Sequence, residues 1–571
     1  MARFANRREF IKIVAGATAT VSLPFALRAA KAGATGDGKR PNIVLMMADD
    51  MGYSDLGCYG GEIQTPNVNS LAQRGLRFTH FYNNAKCVPT RASLLTGLYS
   101  QQSGEGRYRN CVTIAEALKA AGYRTLMVGK WHTSAGSIPT ERGFDRSYGL
   151  VAGCCNYFNP GEQRPGEPAP GRKVVDGVIK WAIDDKVFRP YTPEDRKFYT
   201  TDAFTDNALK YLDQYGRATE PFFLYVAFNA PHYPLHAWPE DVAKYRGKYM
   251  DGPDPVRKAR LERQLAMGII EKQWALSPRD DRSPDWSTLD AARKDDEDLR
   301  MSIYAAQIDR VDQNVGRILA KIKELGIEEN TLIMFLSDNG ATSEGGPFGF
   351  NMVEGVKPGG LDSYASYGLI WGNASNTPFR KYKSYNHEGG ISTPLIARWP
   401  GVIKPNTMTR EVGHLIDVMP TLLDVAGGKY PTTFKNETIP PMQGKSLVPV
   451  LKGGTLGDRG PLFWQHSSEK AMREGKWKIV AMGQAPWELY DMEADRTELR
   501  DLAKQDSERV TRMAAMWDEW AKCVGAHDPA KGSDKHRGRK QSKDAGGKTN
   551  PPAPSRTGDK KNDGSNKKSD K

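Results

Sequence analysis

Short runs of uninterrupted apolar residues alternate along this chain with longer stretches in which apolar positions recur every three or four residues. Ile43-Val44-Leu45-Met46-Met47, lying between Pro41 and Asp49, is such a run, and it predicts a strand buried on both faces. Thr125 to Val128, Phe222 to Phe228, Thr331 to Leu336 and Leu395 to Trp399 predict four more strands. Thr113 to Ala121 reads as a helix stopped by Gly122. Met301, Tyr304, Ile308, Val311, Val315, Ile318, Ile322 and Leu325 mark one face of a long helix that Gly326 ends. Repeated strand and helix units predict an α/β fold with a mostly parallel sheet flanked by helices. In such sheets the chemistry gathers at the carboxyl ends of the strands.

Composition narrows the class. The chain has 571 residues, 39% hydrophobic and 26% charged, enough for two domains. Its formal net charge of +13 sits at the ends: residues 1–40 carry net +6 and residues 531–571 net +8, leaving −1 for the rest. A nearly neutral body argues against a nucleic-acid partner. Asn6-Arg7-Arg8-Glu9-Phe10-Ile11-Lys12 is a twin-arginine signature, followed by the short apolar stretch Ile13 to Leu27. It predicts a signal peptide over residues 1–32, the twin-arginine export machinery as a partner, a periplasmic or secreted protein, and no transmembrane anchor in the mature form. Residues 528–571 are almost free of large apolar side chains, which predicts a disordered basic tail, either solubilising or tethering the protein to acidic polysaccharide. The six cysteines, Cys58, Cys87, Cys111, Cys154, Cys155 and Cys523, are too few for a disulfide-held fold and show no zinc spacing.

The motifs fall where the sheet argument requires. Ala48-Asp49-Asp50-Met51-Gly52 directly follows the first strand, and Ser337-Asp338-Asn339-Gly340 directly follows the Thr331–Leu336 strand. Three carboxylates and an amide oxygen suit a hard divalent cation, calcium or alternatively magnesium, rather than zinc. Gly129-Lys130-Trp131-His132 follows the Thr125–Val128 strand. Pro231-His232-Tyr233-Pro234-Leu235-His236 follows Phe222–Phe228, so three of nine histidines lie just beyond two buried strands.

Cys87-Val88-Pro89-Thr90-Arg91, followed by Ala92-Ser93-Leu94-Leu95-Thr96-Gly97, resembles the recognition sequence of the type I, formylglycine-dependent sulfatases, with arylsulfatase-type members the most similar. The likeness runs from about Arg40 to Ala503 and includes Thr65-Pro66-Asn67, Glu388-Gly389-Gly390, Asp417-Val418-Met419-Pro420 and Trp487-Glu488-Leu489-Tyr490-Asp491. It implies an alkaline-phosphatase-like catalytic domain over residues 40–455 and a small C-terminal antiparallel α+β subdomain over 456–527. Strands around Phe463, Trp477 and Leu489 and a helix from about Ser507 to Cys523 fit that second piece. Carried over position by position, the resemblance makes Asp49, Asp50, Asp338, Asn339 and the modified Cys87 the metal ligands. Cys87 would be oxidised by a formylglycine-generating enzyme, and the aldehyde hydrate would attack the ester. Lys130, Lys383 and the histidines would neutralise the sulfate oxygens, Lys383 or His232 would protonate the leaving group, and His132 would act as base. Arg91 would hold the hydrate and the carboxylates. Lys383 takes its place from its offset before Glu388-Gly389-Gly390, with Lys381 as the competing position. Thr90 stands where many relatives have Ser, and Thr133-Ser134 where Leu-Gly often follows. The expected substrate is a sulfate-ester small molecule or a sulfated glycan. Two alternatives stay open: a phosphoester or phosphonate hydrolase of the same superfamily, and a non-catalytic sulfated-glycan-binding protein.

Overall fold

The structure is a computed structural model that describes residues 39–134, 136–172 and 179–526. The twin-arginine segment and the basic tail lie outside the described residues. Eleven strands form the main sheet: β1 (Asn42–Asp49), β2 (Leu76–Tyr82), β3 (Arg124–Gly129), β4 (Arg146–Leu150), β5 (Trp181–Ile183), β6 (Lys186–Phe188), β7 (Phe222–Pro231), β8 (Thr331–Ser337), β9 (Ser392–Arg398), β10 (Thr407–Thr409) and β11 (Gly413–His414). They follow the order β10-β2-β9-β8-β1-β7-β3-β4-β5-β6, with β11 beside the end of β2. The centre is parallel: β1 pairs with β7 and β8, and β3 pairs with β7 and β4. β9 is the exception, antiparallel to both β8 and β2. An apolar run encodes burial and not direction, so the sequence leaves that reversal invisible. It matters, because it brings the segment preceding β9 to the same end of the sheet as the carboxyl ends of β1, β2 and β8.

The central strands are buried on both faces. Val44, Met46 and Ala48 point to one side with Leu224, Val226 and Phe228, while Ile43, Leu45 and Met47 point to the other with Phe223, Tyr225 and Ala227. The principal helices are α1 (Cys87–Thr96), α2 (Ile114–Ala120), α3 (Thr200–Tyr215), α4 (Ala291–Glu324), α5 (Val418–Ala426) and α6 (Ser507–Val524). α3 and α4 cover the first face; α1, α2 and α5 cover the second. α4 begins well before the apolar stripe that starts at Met301. Asp290 caps it by accepting from Arg293 N at 2.7 Å, and the first turns are held by Arg293–Asp296 and Arg300–Asp296 ion pairs instead of apolar packing. Gly326, with φ +70°, follows its end.

A two-stranded ribbon, β12 (Thr433–Phe434) and β13 (Glu437–Thr438), precedes the second sheet. That sheet is antiparallel, β14 (Leu462–His466), β15 (Glu469–Glu474), β16 (Trp477–Ala481) and β17 (Glu488–Asp491), and α6 packs on it. Trp517 donates to the Trp464 carbonyl at 3.0 Å, and Trp520 stacks on Phe463 at 5.1 Å. The two sheets meet at a buried cluster around Glu388. Its Oε1 accepts from Lys478 Nζ at 2.8 Å. Its Oε2 accepts from Tyr82 at 3.0 Å, Ser392 at 2.7 Å and Arg496 Nε at 2.8 Å. Lys478 also pairs with Glu498 at 2.7 Å.

Candidate active site and metal centre

The Asp49-Asp50, Cys87, Lys130-Trp131-His132, His232, Asp338-Asn339 and Lys383 segments meet at the carboxyl end of the main sheet's central strands. At the end of β1 the backbone turns into the left-handed region at Asp50, φ +64°. This breaks the strand alternation that would send Asp49 and Asp50 to opposite faces. The turned peptide is held at both ends: Asp50 N donates to Asp338 Oδ1 at 3.1 Å, and the Tyr304 hydroxyl lies 3.1 Å from the Asp50 carbonyl. Tyr304 also reaches Asp55 at 2.8 Å, and Arg260 pairs with Asp55 at 2.7 Å. At the end of β8, Gly340 permits a close approach, since a Cβ there would lie 1.9 Å from the Gly389 carbonyl. The Asp338-Asn339-Gly340 turn thereby packs directly on the Glu388-Gly389-Gly390 turn.

The Cys87 motif is the start of α1. Pro89 sits in its first turn, where no backbone donor is needed, and Gly97 closes the helix at φ +67°. Cys87 and Arg91, four residues apart, share a helix face. Arg91 donates to Asp338 Oδ2 and to the Lys130 carbonyl, each at 2.9 Å, and lies 3.7 Å from Asp49 Oδ2. Lys130 pairs with Asp49 Oδ2, Lys383 Nζ lies 2.8 Å from the Asp50 carboxylate, and Asn339 Nδ2 donates to Asp50 Oδ1 at 2.7 Å. Three carboxylates thus face three cations: Asp49, Asp50 and Asp338 against Arg91, Lys130 and Lys383. All six are buried.

The set is incomplete. Asp49 Oδ1 and Asn339 Oδ1 are buried with no hydrogen-bond partner. Two orphaned acceptors in one carboxylate cluster call for a positive centre. Burial first, then the charge of Asp338, holds Asp49 far above the ordinary carboxylate range, with Lys130 and Arg91 opposing. One ligand atom from each of Asp49, Asp50 and His232 lies within 4.8 Å of the others. Asp49 and Asp50, with His232 beside them, form a group that could hold a cation, and Asp338 and Asn339 border it through their bonds to Asp50. As a thiol Cys87 is suppressed: burial raises its pKa despite Lys130 and Lys383.

His232 Nδ1 lies 2.7 Å from the Tyr233 carbonyl, which can only accept, so Nδ1 carries the proton. Nε2 then turns its lone pair toward Asp50 Oδ2 at 3.6 Å, two acceptors facing across a gap. His132 sits in the left-handed region, φ +52°, with Nδ1 unpartnered. Burial and the charges of nearby lysines keep both rings neutral. His236 belongs elsewhere: it bridges Tyr157 N at 3.3 Å and the Ser363 carbonyl at 2.8 Å, a satisfied structural histidine. Lys381 lies over the Tyr385 ring, away from the carboxylates, so the site lysine is Lys383. Although burial opposes its charge, Asp50 holds Lys383 well above its ordinary pKa.

Sequence reasoning missed the rim. Glu344, in the glycine-rich loop after β8, accepts from Lys86 at 3.0 Å and Tyr233 at 2.6 Å and lies 3.8 Å from Lys383. One acid in a loop of Gly and Ser carries no pattern; its place just past a strand's carboxyl end was the available signal. His466, at the end of β14, is pushed down to about 4 by burial and by the charges of Lys86 and Lys383, so the second sheet also borders the site. Tyr304 was legible only as one more position on an apolar helix face.

A family model described as Sulfatase matches residues 41–428, and one described as N-sulphoglucosamine sulphohydrolase, C-terminal, matches residues 379–522. The chain is 31% identical to an uncharacterized sulfatase of Schizosaccharomyces pombe, over 84% of this chain and 93% of that protein. It is 32% identical to an arylsulfatase of Klebsiella aerogenes, over 72% and 92% respectively. The crystal structure of Ps i-CgsB in complex with k-i-k-neocarrahexaose superposes with a TM-score of 0.61 at 26% identity, covering 85% of this chain and 93% of that one.

Proposed function

The chain belongs to the sulfatase family and is an arylsulfatase-like sulfuric ester hydrolase of alkaline-phosphatase-like fold; from that premise we propose that it works through a formylglycine made from Cys87 and a divalent cation, calcium. The observation that carries this reading is the pair of orphaned acceptors, Asp49 Oδ1 and Asn339 Oδ1, in a buried carboxylate cluster contacted by Arg91, which lies one helix turn from Cys87. Asp49, Asp50, Asp338, Asn339 and the modified Cys87 would hold the cation. When present, the cation and the aldehyde hydrate supply a positive centre and a nucleophilic hydroxyl that a cysteine cannot.

The side chains do the rest. With Asp49 resisting ionisation, the three carboxylates do not outweigh the three buried cations, and a cation would make the site net positive, matched to an anionic sulfate group. Lys130 and Lys383 aim fixed ammonium groups at the oxygens where charge grows. Arg91, tied to Asp338 and the Lys130 carbonyl, fixes these groups. Lys383, kept protonated by Asp50, would give its Nζ proton to the departing oxygen, with His232 oriented beside it. His132, neutral and with Nδ1 free, would take a proton from the nucleophile.

The same reading includes oxidation by a formylglycine-generating enzyme and twin-arginine export, supported by Arg7-Arg8 and the following apolar stretch. The test compares an aryl sulfate with the matching phosphate and phosphonate on natively exported enzyme. Sulfate turnover dominates under this proposal; faster cleavage of the phosphorus esters would overturn it. A thiol at position 87 in that exported protein would favour the binding-only alternative.

A further inference from the structure

Exposure at the site rises in one direction. The side chains of Arg91, Asp49, Asp338 and Lys130 are wholly buried, Lys383 and His232 nearly so, while Lys86 is 29% and Glu344 36% exposed. The opening on this side therefore passes Lys383 and reaches Glu344. A leaving group protonated by Lys383 would face that exposed side.

Glu344 is held rigidly. Its N donates to Thr342 Oγ1 at 3.2 Å, and its carbonyl accepts from Ser366 Oγ at 2.9 Å. Oε1 faces Lys86 and Lys383, whereas Oε2 takes the Tyr233 hydroxyl. A carboxylate offers about four lone-pair sites, so acceptor capacity remains toward the opening. Beside it stands an aromatic wall. Tyr233 meets Phe350 edge-on at 5.1 Å and Tyr364 at 6.3 Å, and Phe350 and Tyr364 lie nearly parallel at 6.2 Å.

We infer that Glu344 is a specificity-determining residue, accepting a hydrogen bond from a hydroxyl of a sugar leaving group whose apolar face packs on Phe350, the partly exposed ring of that aromatic group. A sugar supplies both halves, a donor for the acid and C–H groups for the ring. A plain aryl group would cover the carboxylate without a donor and leave it desolvated. The inference rests on the sulfatase reading of the site.

The test uses whole enzyme with its formylglycine checked by mass, para-nitrophenyl sulfate, and a panel of monosulfated galactose, N-acetylgalactosamine and glucosamine. E344Q keeps the size and an acceptor for Tyr233. We expect it to lower the ratio of sugar to aryl kcat/KM by about tenfold or more, mostly through KM, with F350A lowering it about threefold. A ratio unmoved in both variants would overturn the inference, leaving Glu344 as a prop for Lys383. So would aryl turnover with no cleavage of any panel sugar. Failure to cleave any sulfate ester at all would sink the sulfatase reading first.

Discussion

The protein buries two clusters of charge, one at the carboxyl end of the main sheet and one at the seam between the two sheets, and they are built to opposite rules. At the seam, Glu388 has both oxygens filled by Lys478, Tyr82, Ser392 and Arg496, and its pKa is held at about 2 although burial opposes ionisation. At the active site Asp49 keeps one oxygen empty and is pushed in the other direction. Equal burial with opposite saturation separates a structural clamp from a cluster with acceptor capacity to spare.

The largest expected effect breaks the comparison on the site's side. Cys87→Ala should lower turnover by about four orders of magnitude or more while Tm moves little, because the small side chain at a helix start carries chemistry and not packing. A kinetic assay with a parallel thermal melt checks both. Glu388→Gln should do the reverse. It strands Lys478 and Arg496 against a neutral partner, costing about 3–5 kcal/mol by chemical denaturation, while activity per folded molecule falls far less. Activity lost in step with stability would erase the distinction between the clusters.

Much of the site was legible because its residues hang on local rules. The Ile43–Met47 run announced β1, and the two aspartates after it announced a strand-end site. The Cys87-Val88-Pro89-Thr90-Arg91 motif was legible by its resemblance, but the helix that puts Cys87 and Arg91 on one face was not. What stayed hidden depends on tertiary placement. The reversal of β9, the rim role of Glu344 and the support of Asp50 by Tyr304 leave no period or spacing in the chain. Glu388 stood in a motif, yet its partners Lys478, on β16, and Arg496, in the turn after β17, reach it by tertiary placement alone.

Cation removal sharpens the contrast further. A chelator should abolish turnover and lower Tm, and calcium should restore both, with a stabilisation of about 2.7 kcal/mol at a hundredfold excess over Kd. The pH dependence should follow the seam. Glu388 is lowered from 4.5 to about 2, so its stabilisation is complete above 4.5 and disappears as pH falls through about 2. Melting curves between those values should show a loss in wild-type that Glu388→Gln lacks. The smallest effect belongs to Tyr304→Phe: about 1 kcal/mol of stability and a few-fold weaker calcium binding by equilibrium dialysis.

The central claim is that the residue encoded at position 87 is a precursor of the catalyst. Mass spectrometry of the peptide containing Cys87, taken from natively exported and active protein, tests it most directly. An aldehyde is expected there, with one sulfur and two hydrogens lost and one oxygen gained. Full activity from protein whose peptide carries only the unmodified thiol would contradict it.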